Sequence, residues 1–172
     1  MKMFFLFLML SVCAQAQVLS LGSAVETEEH WEKIFEVLSL IESGGDLKAV
    51  GDKGLKYPAY GIYQIRQPYL EDAVWWAKRH PSDPHAKRLL GVDIEVGGVK
   101  ASDLIDQPEE VSRAIVRCYM ARWATSARVG KPCATIADIL RMHNGGGPGY
   151  GKVWWRKVTM PYLAKAREHF GL

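Results

Sequence analysis

The chain has 172 residues, 48% of them apolar and 24% charged, with 16 glycines and 8 prolines. That length fits one domain able to bury a sizeable core, and the composition excludes collagen, coiled coil and wholesale disorder. Basic residues exceed acidic ones by only three, too few for a dedicated nucleic-acid binder, although a mildly basic surface favours an anionic polymer.

Residues 1–16 read as a secretory signal peptide. Lys2 precedes an unbroken apolar run over 3–10, and Ala14 and Ala16 stand at the −3 and −1 positions of a cleavage site. The run is far short of the roughly 20 residues that span a bilayer, and Val12 before Cys13 is a poor lipoprotein signal. The expectation is one exported domain over 17–172, extracellular or periplasmic, with no membrane contact after cleavage. Cys118 and Cys133 remain; an oxidising compartment permits a bridge, and two buried thiols are the alternative.

Trp31, Ile34, Phe35, Leu38 and Ile41 share one helical face and predict a helix over 28–42. Glu28 and Glu29 suit its first turn, and Ser43-Gly44-Gly45 stops it. Residues 46–58 read as loop or short β-hairpin, and 60–65 as a short strand or extended turn. Pro68 opens a helix to about residue 80, with Leu70, Val74 and Trp75 on one side and Trp76 as core or rim. Pro81 and Pro84 break it, and 86–90 suggests a short helix. The stretch 91–106 is irregular, with a candidate β-turn at Gly97-Gly98. Pro108 opens a helix with Val111, Ala114, Ile115, Cys118 and Arg122 inward. Ile136, Ile139, Leu140 and His143 mark another, ended by the glycine-rich 145–149. A last helix covers 153–169, with Pro161 as a possible kink. The expected fold is mainly α (α+β): a helical bundle with a small β or irregular element after the first long helix.

Glu42 continues the buried stripe of the first helix, four residues after Leu38 and eleven after Trp31. Desolvation and the helix C-terminus both disfavour its charge there, and a carboxylic acid kept protonated is what a general acid needs. The plain alternative is an exposed or Arg-paired Glu at a frayed end. Gly61 would let the backbone of Tyr63 and Gln64 approach a sugar, whose groups an amide can read; packing of a hairpin is the alternative. His143 reads as a satisfied core histidine or a cleft residue. Tyr150, Trp154 and Trp155 offer stacking faces or core. His80 and His85 lack metal spacing, and no nucleotide loop or nucleophile elbow occurs.

Glu42-Ser43-Gly44-Gly45, then Gly61-Ile62-Tyr63-Gln64-Ile65-Arg66-Gln67-Pro68-Tyr69, then Tyr119-Met120-Ala121-Arg122-Trp123, then Arg141-Met142-His143-Asn144-Gly145-Gly146 resemble, in that order, segments of the lysozyme superfamily. The first two words are similar to soluble lytic transglycosylases. The set of four is closer to invertebrate-type (destabilase-like) lysozymes, although this chain lacks that family's many cysteines. The resemblance implies a lysozyme-like α+β domain and a secreted, bacteriolytic glycosidase. Its substrate would be the β-1,4 bond between N-acetylmuramic acid and N-acetylglucosamine in peptidoglycan glycan strands, cut by a monomer without metal or cofactor. It implies Glu42 as acid, and Asp52, in an Asp-Lys-Gly context, as nucleophile or stabiliser of the sugar cation. A turn residue is the alternative for Asp52. Ser43, Tyr63, Gln64, His143, Asn144 and Tyr150 are the expected substrate-binding residues. Transglycosylation to a 1,6-anhydro product, and a catalytically inactive peptidoglycan- or chitin-binding protein, remain the rival readings.

Overall fold

The first helix, α1 (Glu28–Ser43), begins where Thr27 caps it: the Thr27 hydroxyl accepts from the His30 amide and the His30 ring accepts from the Thr27 amide. It ends on Gly44, whose left-handed backbone frees its amide to bond the Leu40 and Ser39 carbonyls. Ile34, Phe35, Val37 and Leu38 are buried, each contributing about 1.5–3 kcal/mol by leaving water. The computed structural model describes residues 20–92 and 100–170. The expected signal peptide and the turn at Gly97-Gly98 lie outside the described residues.

After α1 the chain forms a three-stranded antiparallel sheet: β1 (Val50–Gly51), β2 (Ala59–Tyr60) and β3 (Ile65–Arg66). Val50 pairs with Tyr60, and Tyr60 in turn with Ile65. Strands of two residues cannot stand alone. This sheet leans on the 3-10 helix Ala101–Asp106 and on α2 (Gln67–Ala77). Pro68 sits in the first turn of α2, where its missing N–H costs nothing.

The remaining helices are α3 (Pro84–Gly91), α4 (Glu109–Trp123), the single turn α5 (Ser126–Val129), α6 (Ile136–Gly145) and α7 (Val153–Phe170). A further 3-10 turn, Gly147–Gly149, links α6 towards α7. α2 and α3 pack on α4, and α6 packs on α7, while α1 touches both α6 and α7. The fold is therefore mainly helical with one small antiparallel sheet, as the sequence predicts. α7 runs continuously through Pro161.

Two arginines of α4 lock it to α1. Arg113 pairs with Glu32 and Glu109 at 2.7 Å each and lies over the Phe35 ring. Arg117 pairs with Glu28 at 2.6 Å and lies over Trp31. Cys118 is buried in α4 and Cys133 is exposed. They form no bridge, and only one of the two thiols is buried. The reason is placement: Cys118 faces the core of the α2–α4 layer, and Cys133 stands on the surface loop before α6. Burial pushes the Cys118 thiol up to about 12, so it is inert.

Candidate active site

An open cleft of about 580 Å³ runs between the sheet, α2 and the glycine-rich turn after α6. Glu42 reaches it from the end of α1. Gly51, Asp52, Gln64 and Arg66 form its sheet side, and Pro68, Tyr69, Asp72 and Tyr119 come from α2 and α4. His143, Asn144, Gly145, Gly146 and Pro148 close the far side.

Glu42 is half-buried, its side chain 17% exposed. Its Oε1 accepts a 2.7 Å hydrogen bond from the Tyr162 hydroxyl of α7. Burial, and then the Glu42 carboxylate itself, push the Tyr162 hydroxyl far above the usual phenol range, so it stays a donor. Among the described residues no hydrogen bond reaches Glu42 Oε2. His143 Nε2 lies 3.7 Å from Oε1, beyond hydrogen-bond range. That nitrogen donates instead to the Tyr63 carbonyl at 2.9 Å, because a carbonyl can only accept. Nδ1 then accepts a hydrogen bond from the Tyr69 hydroxyl at 3.1 Å. Burial holds His143 below its ordinary value despite nearby Glu42, so its ring is neutral.

The cleft holds two further carboxylates, and each has a guanidinium partner. Asp52 pairs with Arg66, which also donates to the Tyr57 carbonyl. Asp72 lies 3.0 Å from Arg122 and accepts from the Trp123 indole at 2.9 Å. Glu42 alone of the three has no guanidinium partner among the described residues; its hydrogen bond comes from the neutral Tyr162 hydroxyl. It can exchange a proton with a substrate without breaking an ion pair.

Asp52 and Gln64 both adopt left-handed backbone, φ 50° and 48°, at a cost of about 1–2 kcal/mol for a residue other than glycine. Gln64 is held there by its own amide, which donates to the Gly61 and Ala49 carbonyls at 2.9 and 3.3 Å. Its carbonyl oxygen lies against Gly51, where any Cβ would collide with it. Both residues lie on the sheet wall of the cleft.

Of the residues expected from sequence, Glu42, Asp52, Gln64, His143 and Asn144 meet in this cleft. Ser43, Tyr63 and Tyr150 are placed elsewhere, among the described residues. The Ser43 hydroxyl donates to the Ile62 carbonyl at 2.8 Å and ties α1 to the sheet. Tyr63 is fully buried against Phe35, its hydroxyl on Glu109 at 2.6 Å. Tyr150 donates to Asp138, in the capping box that starts α6, at 2.7 Å. These three hold the wall rather than face the cleft. Trp155 is core and packs under Tyr150. Tyr162, Arg66 and Asp72 carry no local sequence signal for their roles. Tyr162 is 120 residues from the group it serves.

No protein-family model matches this chain, and no curated protein matches it either. Among the described residues no three His, Cys, Asp or Glu side chains gather as a metal site, and no helix is long and apolar enough to cross a membrane.

Proposed function

We propose that this chain is an exported muramidase, hydrolysing the β-1,4 bond between N-acetylmuramic acid and N-acetylglucosamine in peptidoglycan. The observation that carries the reading is the unequal treatment of two carboxyl groups on one cleft: Glu42 has a neutral donor, Asp52 a guanidinium. Glu42 Oε2, the free oxygen, protonates the departing glycosidic oxygen and afterwards takes a proton from water. Asp52 faces the sugar as it gains positive charge and stabilises it electrostatically or covalently. Gln64 and Asn144 supply polar groups that read the sugar's hydroxyl and N-acetyl substituents.

A second reading is favoured by the state of Asp52, half exposed and already engaged by Arg66. In a lytic transglycosylase no carboxylate nucleophile is needed. The muramyl 6-hydroxyl attacks in place of water and leaves a 1,6-anhydro end. Mass spectrometry of digested peptidoglycan separates the two, because the anhydro product is one water lighter. Hydrolysis predicts the heavier product and loss of turnover by several orders of magnitude in Glu42→Gln, with strand binding retained. No turnover by either the native chain or Glu42→Gln, with strand binding unchanged between them, would sink both enzyme readings and leave a binding protein.

A further inference from the structure

The cleft runs on into a feature that bond cleavage leaves without a role. Pro68, Asp72 and Trp75 stand on one face of α2, and Arg79 follows just past its end. The first two line the cleft, and Trp75 beyond them is exposed. Two guanidiniums lie over the Trp75 ring, Arg79 at 3.7 Å and Arg122 at 4.0 Å from its centroid. Arg122 also stands 5.0 Å from the Trp123 ring, and Arg128 4.4 Å from that same ring. Three cations and two indoles therefore alternate at the end of the cleft.

The ladder is built on the cleft's own wall. Asp72 holds Arg122 at 3.0 Å and the Trp123 indole at 2.9 Å. Arg128 donates to the Gly147 carbonyl at 2.9 Å, between two residues that line the cleft. Arg79 is held by the Trp75 carbonyl at 3.1 Å. Stacking on an indole orders a guanidinium without neutralising it. Of the three guanidiniums only Arg122 has a carboxylate partner among the described residues, Asp72, so Arg79 and Arg128 keep their charge for a ligand. Each exposed guanidinium still has N–H groups free to fork onto a carboxylate.

We propose that this ladder, through Arg79 and Arg128, binds carboxylates carried by the peptides of the glycan strand and so selects peptide-bearing strands over uncharged ones. The inference rests on the cleft being a glycan site. An uncharged N-acetylglucosamine polymer offers these cations nothing, whereas each peptide-bearing muramoyl residue brings carboxylates to the cleft's edge. The charges are exposed, so the preference is strongest at low salt.

The test uses Glu42→Gln protein with two kinds of strand: peptide-bearing glycan freed of phosphate polymers, and an uncharged N-acetylglucosamine oligomer of similar length. Calorimetry should show peptide-bearing strands bound about tenfold tighter, a difference of about 1.4 kcal/mol, and the ratio should shrink in about 0.5 M salt. Arg79→Ala with Arg128→Ala should bring the ratio near one, and Arg79→Glu should lower it further. If the double variant fails to fold, the single Arg→Gln variants give the same readout. Equal binding of both strands, binding of neither, or an unchanged ratio in the variants would overturn the proposal. So would a preference that appears only on strands still carrying phosphate polymers. The glycosidase reading fails separately: the preference would be present, yet the native chain would cleave neither strand.

Discussion

A carboxyl group that hands a proton to a leaving oxygen works best with one oxygen held and the other free. Tyr162 does the holding. Its hydroxyl fixes Glu42 Oε1 and leaves Oε2 without a hydrogen bond among the described residues. Removing that hydroxyl as Tyr162→Phe keeps the buried ring but lets the carboxyl turn. A hydrogen bond to a charged group is worth about 1.5–3 kcal/mol, so kcat should fall about 10- to 100-fold. KM and the circular dichroism spectrum should stay close to native. A matching rise in KM, or a loss of fold, would mean that Tyr162 only supports packing. The place of Glu42 on the cleft was legible in the sequence, because a carboxylate that extends an apolar helical stripe needs a polar opening at its end. Tyr162 was not: its partner comes from the other end of the chain, and no local pattern records a contact across α1 and α7. Tyr63 misled for a related reason. A tyrosine beside a permissive glycine looks poised for a sugar, yet its ring had core to fill behind Phe35 and its hydroxyl had Glu109 to bond.

At the scale of elements, the turn between α6 and α7 shapes the far wall of the cleft through what its glycines lack. A Cβ on Gly147 would fall inside the Trp123 ring, and one on Gly149 would press on Trp154 and Trp155. Gly147→Ala should therefore push the turn off α4 and disturb the Arg128 contact at its carbonyl. Overpacking of this kind costs about 1–3 kcal/mol, visible as a Tm lower by several degrees, with Gly22→Ala, where a Cβ meets only Ser20 at 3.7 Å, as the neutral control. An unchanged Tm would show that the turn shifts freely and does not define the wall. Helix boundaries were readable where caps and prolines write them locally: Gly44 ends α1 and Pro68 opens α2, whereas Pro84, expected only as a breaker, opens α3 two residues ahead of the expected start. α5 escaped, since four residues carry no periodicity. The sheet was readable as a small β element after α1, a short hairpin and strand, but not in its register. Its strands are two residues long, and their pairing depends on the Gln64 amide bonding across the turn.

For the whole molecule, the junction of sheet, α2 and α6 passes through one neutral imidazole. His143 donates to the Tyr63 carbonyl and accepts from Tyr69, so a second proton would displace the Tyr69 bond and bury a charge. Its folded value lies below the ordinary 6.5, because burial outweighs the pull of Glu42. The unfolded chain thus takes up the proton first as pH falls. Stability is fully present above about pH 6.5 and is lost progressively below it, until the folded ring also protonates, by at most about 1.4 kcal/mol per pH unit for each such group. His85 adds the same sign, its value lowered by burial and by Arg117. Glu109 and Asp138 are held low by their hydrogen-bonding partners, so they subtract stability only in more acidic solution, below their ordinary 4.5 and 3.8. Urea unfolding at about pH 7.5, 6 and 5 should therefore show a falling midpoint across a window above the range of Glu109 and Asp138. His143→Gln should be less stable at neutral pH and show a shallower fall, with the remaining slope removed by a change at His85. A slope that His143→Gln leaves untouched would place the pH sensitivity elsewhere and show that this junction tolerates the charged ring.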